Sequence, residues 1–237
     1  MIILGDIHGH TQGGFDHLKW LLKTRISDSN IIQVGDFGLT RNIRYMVRTL
    51  LELNEALGET GNKMYVCRGN HDNPAFWNGT HLYENIELVP DYDTRVIEGK
   101  TILFIGGAIS VDRKDRIDTG NVWFPDEGYV LRKDKLATFK DVDIVVTHTA
   151  PKFAFPQTLS GIPENYIKAD HTLLQECARE RMDLTETYDI LKENNNITNW
   201  VYGHFHTNEV TFHDGIEFRV VGIKDTHHLR TEAEYGN

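Results

Sequence analysis

Five short apolar runs in this chain end in the same kind of text, and that repetition constrains the fold more than any other feature. Residues 2–4 lead into Gly5-Asp6-Ile7-His8-Gly9, and residues 31–34 into Gly35-Asp36. Residues 64–67 lead into Arg68-Gly69-Asn70-His71-Asp72, residues 144–146 into Thr147-His148, and residues 200–202 into Gly203-His204-Phe205-His206. Such short β-branched runs read as buried strands. In α/β sheets, ligands bind outside the carboxyl ends of the strands. The polar residues at these ends are therefore expected to meet in one crevice. Their spread from Asp6 to His206 predicts a single domain over residues 1–237, and no linker, low-complexity tract or repeat divides the chain.

Two further runs, 102–105 and 218–221, also read as strands. Helical spacing joins Phe15, Leu18, Leu21 and Leu22 on one face, and Ile43, Met46, Val47, Leu50, Leu53 and Leu57 on another. Strand and helix alternate in the first half, which makes it α/β. Further helices are expected over 129–139 and 170–193, the second broken near Asp183, an N-cap with Glu186 at the capping-box position. From Trp200 onward the text predicts antiparallel strands turned at His213-Asp214-Gly215. Mixed sheets flanked by helices follow.

Charge narrows the partners. The chain carries a formal charge of −10, whereas proteins that grip duplex nucleic acid show a basic footprint. No long duplex substrate is expected; a small or short phosphoester is compatible. Cys67 and Cys177 are isolated, so neither a zinc ribbon nor a disulfide framework is indicated. The apolar start is too short for a signal-peptide core, and no stretch approaches the ~20 apolar residues of a membrane span. The expectation is a cytoplasmic, soluble protein without a membrane partner.

Carboxylates and imidazoles without thiolates suit divalent ions of intermediate hardness. If the segments are extended, residues i and i+2 point to the same side. Asp6 with His8, and His204 with His206, would then each address one cavity.

In this order the residues resemble the calcineurin-like metallophosphoesterases, whose pattern is GD-x-H-G, GD, GN-H-[DE], a later His and G-H-x-H. The match spans nearly the whole chain. The resemblance implies a four-layer αββα sandwich of two mixed β-sheets flanked by helices. It also implies two divalent ions, manganese first, with iron, zinc or nickel as alternatives. One would be held by Asp6, His8, Asp36 and His206, the other by Asp36, Asn70, His148 and His204, so that Asp36 bridges. Two such cations acidify a bridging water that attacks the phosphate of a phosphodiester or phosphomonoester. His71 would face that phosphate as general acid, an imidazolium protonating the departing oxygen.

The chain departs from the protein Ser/Thr phosphatases, which carry GD-x-x-D-R-G. Here Gly35-Asp36-Phe37-Gly38-Leu39-Thr40-Arg41 supplies neither that Asp nor that Arg in register. The chain looks more like the small stand-alone bacterial or phage phosphoesterases, with a lean towards diesters. A nuclease acting on single-stranded or short nucleic acid is the alternative activity. A non-catalytic scaffold of the same fold is the alternative of another class, disfavoured because His71 and the ligand set are retained. Among Arg41, Arg68, Arg113 and Arg116, guanidiniums suited to phosphate, Arg113 is taken as the substrate contact. Residues 151–196 form an expected lid or insert, with Pro156, Gly161 and Pro163 ahead of its helices. His10, His17, His81, His171, His213, His227 and His228 are assigned no role in the site.

Overall fold

A computed structural model describes residues 1–9, 13–40, 43–80, 83–159 and 161–229. His10, Arg41, His81 and the side chain of Ile43 lie outside the described residues. The first half alternates as the apolar periodicity demands, with β1 (Ile2–Leu4), α1 (Gly14–Thr24), β2 (Asn30–Gln33), α2 (Ile43–Glu59), β3 (Lys63–Val66) and β4 (Ile86–Leu88). A hairpin of β5 (Asp93–Ile97) and β6 (Lys100–Ile105) follows, then α3 (Arg113–Asp118), α4 (Lys133–Leu136) and β7 (Ile144–Thr147). The chain ends in α5 (Glu164–Ala169), α6 (Leu173–Lys192), β8 (Asn199–Tyr202), β9 (Glu209–His213), β10 (Ile216–Val220) and β11 (Thr226–His228).

Among the described residues these strands form a five-stranded sheet, ordered β11-β1-β2-β3-β4, and a six-stranded sheet, ordered β5-β6-β7-β8-β10-β9. Side-chain alternation along each strand decides what packs where. In β1, Ile2 and Leu4 point to α1 and α2, joining Leu18, Leu22, Met46, Leu50, Leu53 and Leu57. Ile3 between them points the other way, into a core shared with Ile102, Phe104, Val146 and Val201 of the second sheet. In β6, Leu103 and Ile105 turn outward to meet Leu184, Tyr188 and Leu191 of α6. The layers are thus helix, sheet, sheet, helix, the αββα sandwich.

Three local expectations are corrected. Residues 129–139 contain only the single turn of α4. The carbonyls just ahead of it are taken by side chains: Arg68 Nη1 donates to Glu127 O at 2.8 Å and Tyr92 Oη donates to Val130 O. The helix over 173–192 runs through Asp183 unbroken. Its buried stripe of Cys177, Glu180, Leu184, Thr187, Tyr188 and Leu191 is continuous, and burial of that stripe outweighs a local capping preference. In the tail, β9 and β10 are antiparallel, turned at Asp214 and Gly215 with φ of 50° and 82°. However, β10 lies parallel to β8, with Phe218 opposite Trp200, so the hairpin is inserted between β8 and solvent and does not continue it antiparallel.

Candidate metal centre

Every strand that carries the repeated text ends at the same edge of the sandwich. β1, β2 and β3 deliver Asp6, His8, Asp36, Asn70 and His71; β7 and β8 deliver His148, His204 and His206. The site therefore spans both sheets. Asp6, Asp36, Asn70 and His148 are buried, whereas His206 remains 45% exposed at the rim.

Convergence does not come from extended backbone, as the i, i+2 reading supposed. The strands have already ended, and His8, Asp36, His204 and His206 stand at φ of 48°, 52°, 66° and 54°. This is left-handed backbone, which costs a non-glycine residue about 1–3 kcal/mol and is retained where function requires it. Each turn folds its side chain back over the strand end. Two glycines allow the close approach this needs. A Cβ on Gly203 would lie 2.1 Å from Asp6 Oδ1, and one on Gly35 would lie 2.3 Å from His148 Nδ1.

Donor atoms of Asp6, His8, Asp36 and His206 lie within 4.8 Å of one another. His8 Nε2 faces His206 Nε2 at 3.1 Å, and His206 Nε2 is 3.3 Å from Asp6 Oδ2. Alongside, Asn70 Oδ1 lies 3.0 Å from both His148 Nε2 and His204 Nδ1, and His148 Nε2 is 3.2 Å from Asp36 Oδ1. Imidazole nitrogens and carboxylate or amide oxygens aimed at one another, without thiolate, fit divalent cations. His148 Nδ1 donates to Val34 O at 2.8 Å, which orients the ring and reserves Nε2 for the centre.

The electrostatics of this cluster follow from burial and the close approach of charge. Burial holds His8 and His204 below the usual imidazole range, strongly so for His204. Burial also presses on His148, but the Asp36 carboxylate beside it more than reverses this and raises it to about 9. Burial works against ionisation of Asp36, yet the charge and hydrogen bond of His148 keep it well below the ordinary carboxylate range. A hydrogen bond to Asp6 raises His206.

His71 sits one-third exposed at the mouth, its Nε2 4.0 Å from Asp36 Oδ2. Its backbone N–H donates to Asp36 Oδ1 at 2.8 Å. Arg116 of α3 places Nη1 3.4 Å from His71 Nδ1. A guanidinium has no acceptor, so Arg116 can donate only while Nδ1 keeps its lone pair; Nε2, the nitrogen that faces the centre, carries a proton in that form and in the imidazolium alike. Arg116 Nη2 also donates to Ser110 Oγ, which in turn accepts from Asn70 Nδ2 at 2.7 Å. That bond aims Asn70 Oδ1 at the two histidines. Asp112 and Glu127 offset the buried charge of Arg116 at 3.1 and 3.3 Å.

Arg113 has a different neighbourhood. It binds Asp170 Oδ2 at 2.6 Å, Glu176 Oε2 at 2.5 Å and Thr172 Oγ1 at 2.9 Å, tying α3 to the start of α6, and it is absent from the cavity wall beside the cluster. Arg68 is likewise spent, on Asp91 at 2.7 Å. Three further residues have roles the sequence reading left unassigned. Asp72, fully buried, accepts from the N–H groups of Phe37, Gly38, Leu39 and Gly69 at 2.7–3.1 Å and so clamps the turn that carries Asp36. Its place in the Gly-Asn-His-Asp text was the available signal. Ser110 and Tyr166, the latter lining the 220 Å³ cavity with Asp36, Asn70 and His71, had none.

A cluster of this chemistry, gathered where the strands of two sheets end, defines a metal-dependent phosphoester hydrolase. Residues 1–208 match the model of the calcineurin-like phosphoesterase family, and the chain belongs to that family. One crystal structure, 13% identical, gives a TM-score of 0.51 with 94% of this chain and 90% of that chain covered. The phosphopantetheinyl hydrolase PptH of Mycobacterium tuberculosis is 18% identical at a TM-score of 0.48, with 94% of this chain and 89% of that chain covered. The 5'-nucleotidase precursor of Thermus thermophilus is 12% identical at 0.43, with 94% and 48% covered. At these identities the likeness concerns the fold alone. No curated protein matches the chain.

Proposed function

We propose that the chain hydrolyses a small or short phosphoester, a diester in preference to a monoester, at a centre of two divalent cations. Asp6, His8, Asp36 and His206 would hold one, and Asp36, Asn70, His148 and His204 the other, with manganese the first choice. When bound, the cations supply positive charge for the phosphate oxygens and a water acidified enough to attack at neutral pH. The remaining work falls to the chain. Asp72 holds the Asp36 turn, Ser110 orients Asn70, and His71, as an imidazolium, would give its Nε2 proton to the departing oxygen and be left as the neutral ring. The segment 151–196 contributes Tyr166 to the cavity wall and serves as a lid that selects the alcohol.

The observation that carries this reading is the placement of His71. It stands at the mouth with Nδ1 against Arg116, whereas Nδ1 of His148 meets a backbone carbonyl, and Nε2 of His148 and Nδ1 of His204 meet Asn70 Oδ1. The test is chelator-stripped protein reloaded with Mn²⁺, Ni²⁺, Zn²⁺ or Mg²⁺ and offered p-nitrophenyl phosphate, bis-(p-nitrophenyl) phosphate and a phosphopeptide. Up to two ions per chain and faster turnover of the diester are expected. Absence of metal after reloading, or a preference for the phosphopeptide, refutes it.

A further inference from the structure

A second cavity, of about 210 Å³, opens beside the metal centre and shares Val111, His204 and His206 with the cavity that holds His71. Its remaining wall is of another character. Phe155, Leu159, Ile162 and Pro163 come from the segment ahead of α5, and Phe205 comes from between the two motif histidines. Phe155 and Phe205 meet edge to face at 5.2 Å, and Phe205 lies against the His204 ring at 5.0 Å. Apolar surface therefore begins directly at a ligand of the centre.

One cation lines this apolar wall. Arg181 of α6 stacks on Phe155, with its guanidinium carbon 4.1 Å from the ring centroid. It is half-buried, and among the described residues it forms no ion pair. Stacking on an aromatic face leaves the edge of a guanidinium, with its N–H groups, free for an anion. Arg113 of α3, which meets α6 at Glu176, shows the contrast, because each of its three nitrogens is engaged.

Resting on the reading above, we propose that this cavity is the subsite for the alcohol part of the ester, and that the favoured alcohol carries a flat apolar ring together with a second anionic group that pairs with Arg181. The volume suffices, since a cavity of about 150 Å³ already accepts benzene. Continuity matters equally: a phosphate seated at His204 and His206 has its ester oxygen at the entrance to the apolar wall. The reaction is unchanged; the cavity decides which ester is held.

Four alkanols of similar acidity separate recognition from leaving-group chemistry: ethanol, 2-phenylethanol, and 2-phenylethanol with a 4-carboxylate or with a 4-phosphonate. Each is supplied as the phosphomonoester and as the methyl diester to Mn²⁺-reloaded protein, with products read by phosphorus NMR. The ring should raise kcat/KM by ~10-fold or more over ethyl, and the ring anion by a further ~10-fold. The two anions report whether carboxylate or phosphate is preferred. Arg181→Gln should abolish the second gain and keep the first, whereas Phe155→Ala should reduce the first; Ile162→Ser repeats that test should Phe155→Ala fail to fold. Equal kcat/KM for all alcohols overturns the subsite and leaves the phosphoesterase reading intact. If no ester is hydrolysed, that reading falls, and the subsite is judged by calorimetric binding of 2-phenylethylphosphonate against ethylphosphonate, where equal affinities overturn it.

Discussion

At the scale of single residues, the centre is a set of strained turns held by unstrained neighbours. His8, Asp36, His204 and His206 occupy left-handed backbone, and what maintains them is specific: four N–H bonds into Asp72 around the Asp36 turn, and the Asp6 carboxylate accepting from His204 N at 3.1 Å. In the proposed reaction His71 differs from its neighbours in task. Replacing it by alanine should lower kcat by ~10²–10⁴-fold, the usual worth of a general acid, while metal content stays unchanged. Alkyl esters should suffer more than nitrophenyl esters, because an alkoxide needs the proton and a nitrophenolate does not. Arg116→Met should show the same dependence in weaker form, as it releases Nδ1. Loss of metal from His71→Ala, or equal slowing of all esters, rules out the assignment.

At the scale of elements, α6 carries an unusual load. Its buried face includes Glu180, whose Oε2 lacks a hydrogen-bond partner. Burial pushes this carboxyl up to about 8, with backbone N–H groups of Ile109 and Tyr129 opposing in part. The sign follows from linkage. An acid with a higher pKa folded than unfolded binds its proton more tightly in the native state, so its contribution is fully present below the unfolded value of 4.5. That contribution is lost as pH rises through the folded value near 8. Glu180→Gln, which cannot ionise, should therefore melt above wild type at pH 8, by ~3 °C or more given ~2–4 °C per kcal/mol for a chain of this size. The two should converge near pH 4.5. A constant offset across pH in scanning fluorimetry would show that packing, not ionisation, is responsible. The same helix presents Arg181 to the cavity and Leu184, Tyr188 and Leu191 to the second sheet, so its position couples sheet packing to the wall of the proposed alcohol subsite.

At the scale of the molecule, the proposed centre would also act as a clasp. Asp6, His8, Asp36 and Asn70 come from one sheet and His148, His204 and His206 from the other, with a hydrophobic cluster packed between the sheets. An ion bound by both sets stabilises only the assembled sandwich. At a hundredfold excess over Kd that is worth ~2.7 kcal/mol, or a rise in Tm of ~5–10 °C. Below pH 9 the ion must displace the proton that Asp36 favours on His148. The Mn²⁺-induced shift should thus grow from pH 6.5 to 9, and Asp36→Asn should nearly abolish it. A shift independent of pH would place the ion elsewhere. Among the described residues no helix is long and apolar enough to cross a membrane.

Much of this was legible because strand ends are local. The β-branched runs at 2–4, 31–34, 64–67, 102–105, 144–146, 200–202 and 218–221 all became strands, and glycine with aspartate, asparagine or histidine marks where four of the five motif-bearing strands stop, Thr147-His148 marking the fifth. Sequence by itself determined the alternation, the layered class and the family's site text, since hydrophobic period and residue chemistry act within a few positions. It did not reveal β4, β5 or β11, which are short or carry charges and owe their strand form to a neighbour's hydrogen bonds. Nor did it reveal that 129–139 stays open, that α6 passes Asp183, or that β10 lies parallel to β8. Those outcomes depend on side chains distant in sequence, Arg68 and Tyr92 in the first case and the outer face of the second sheet in the others. The arginines make the point most directly. The text favoured Arg113 and did not single out Arg181, yet tertiary packing paired Arg113 with two carboxylates, set Arg116 against His71 and left Arg181 on Phe155 facing a cavity, because charge partners are chosen by distance in space.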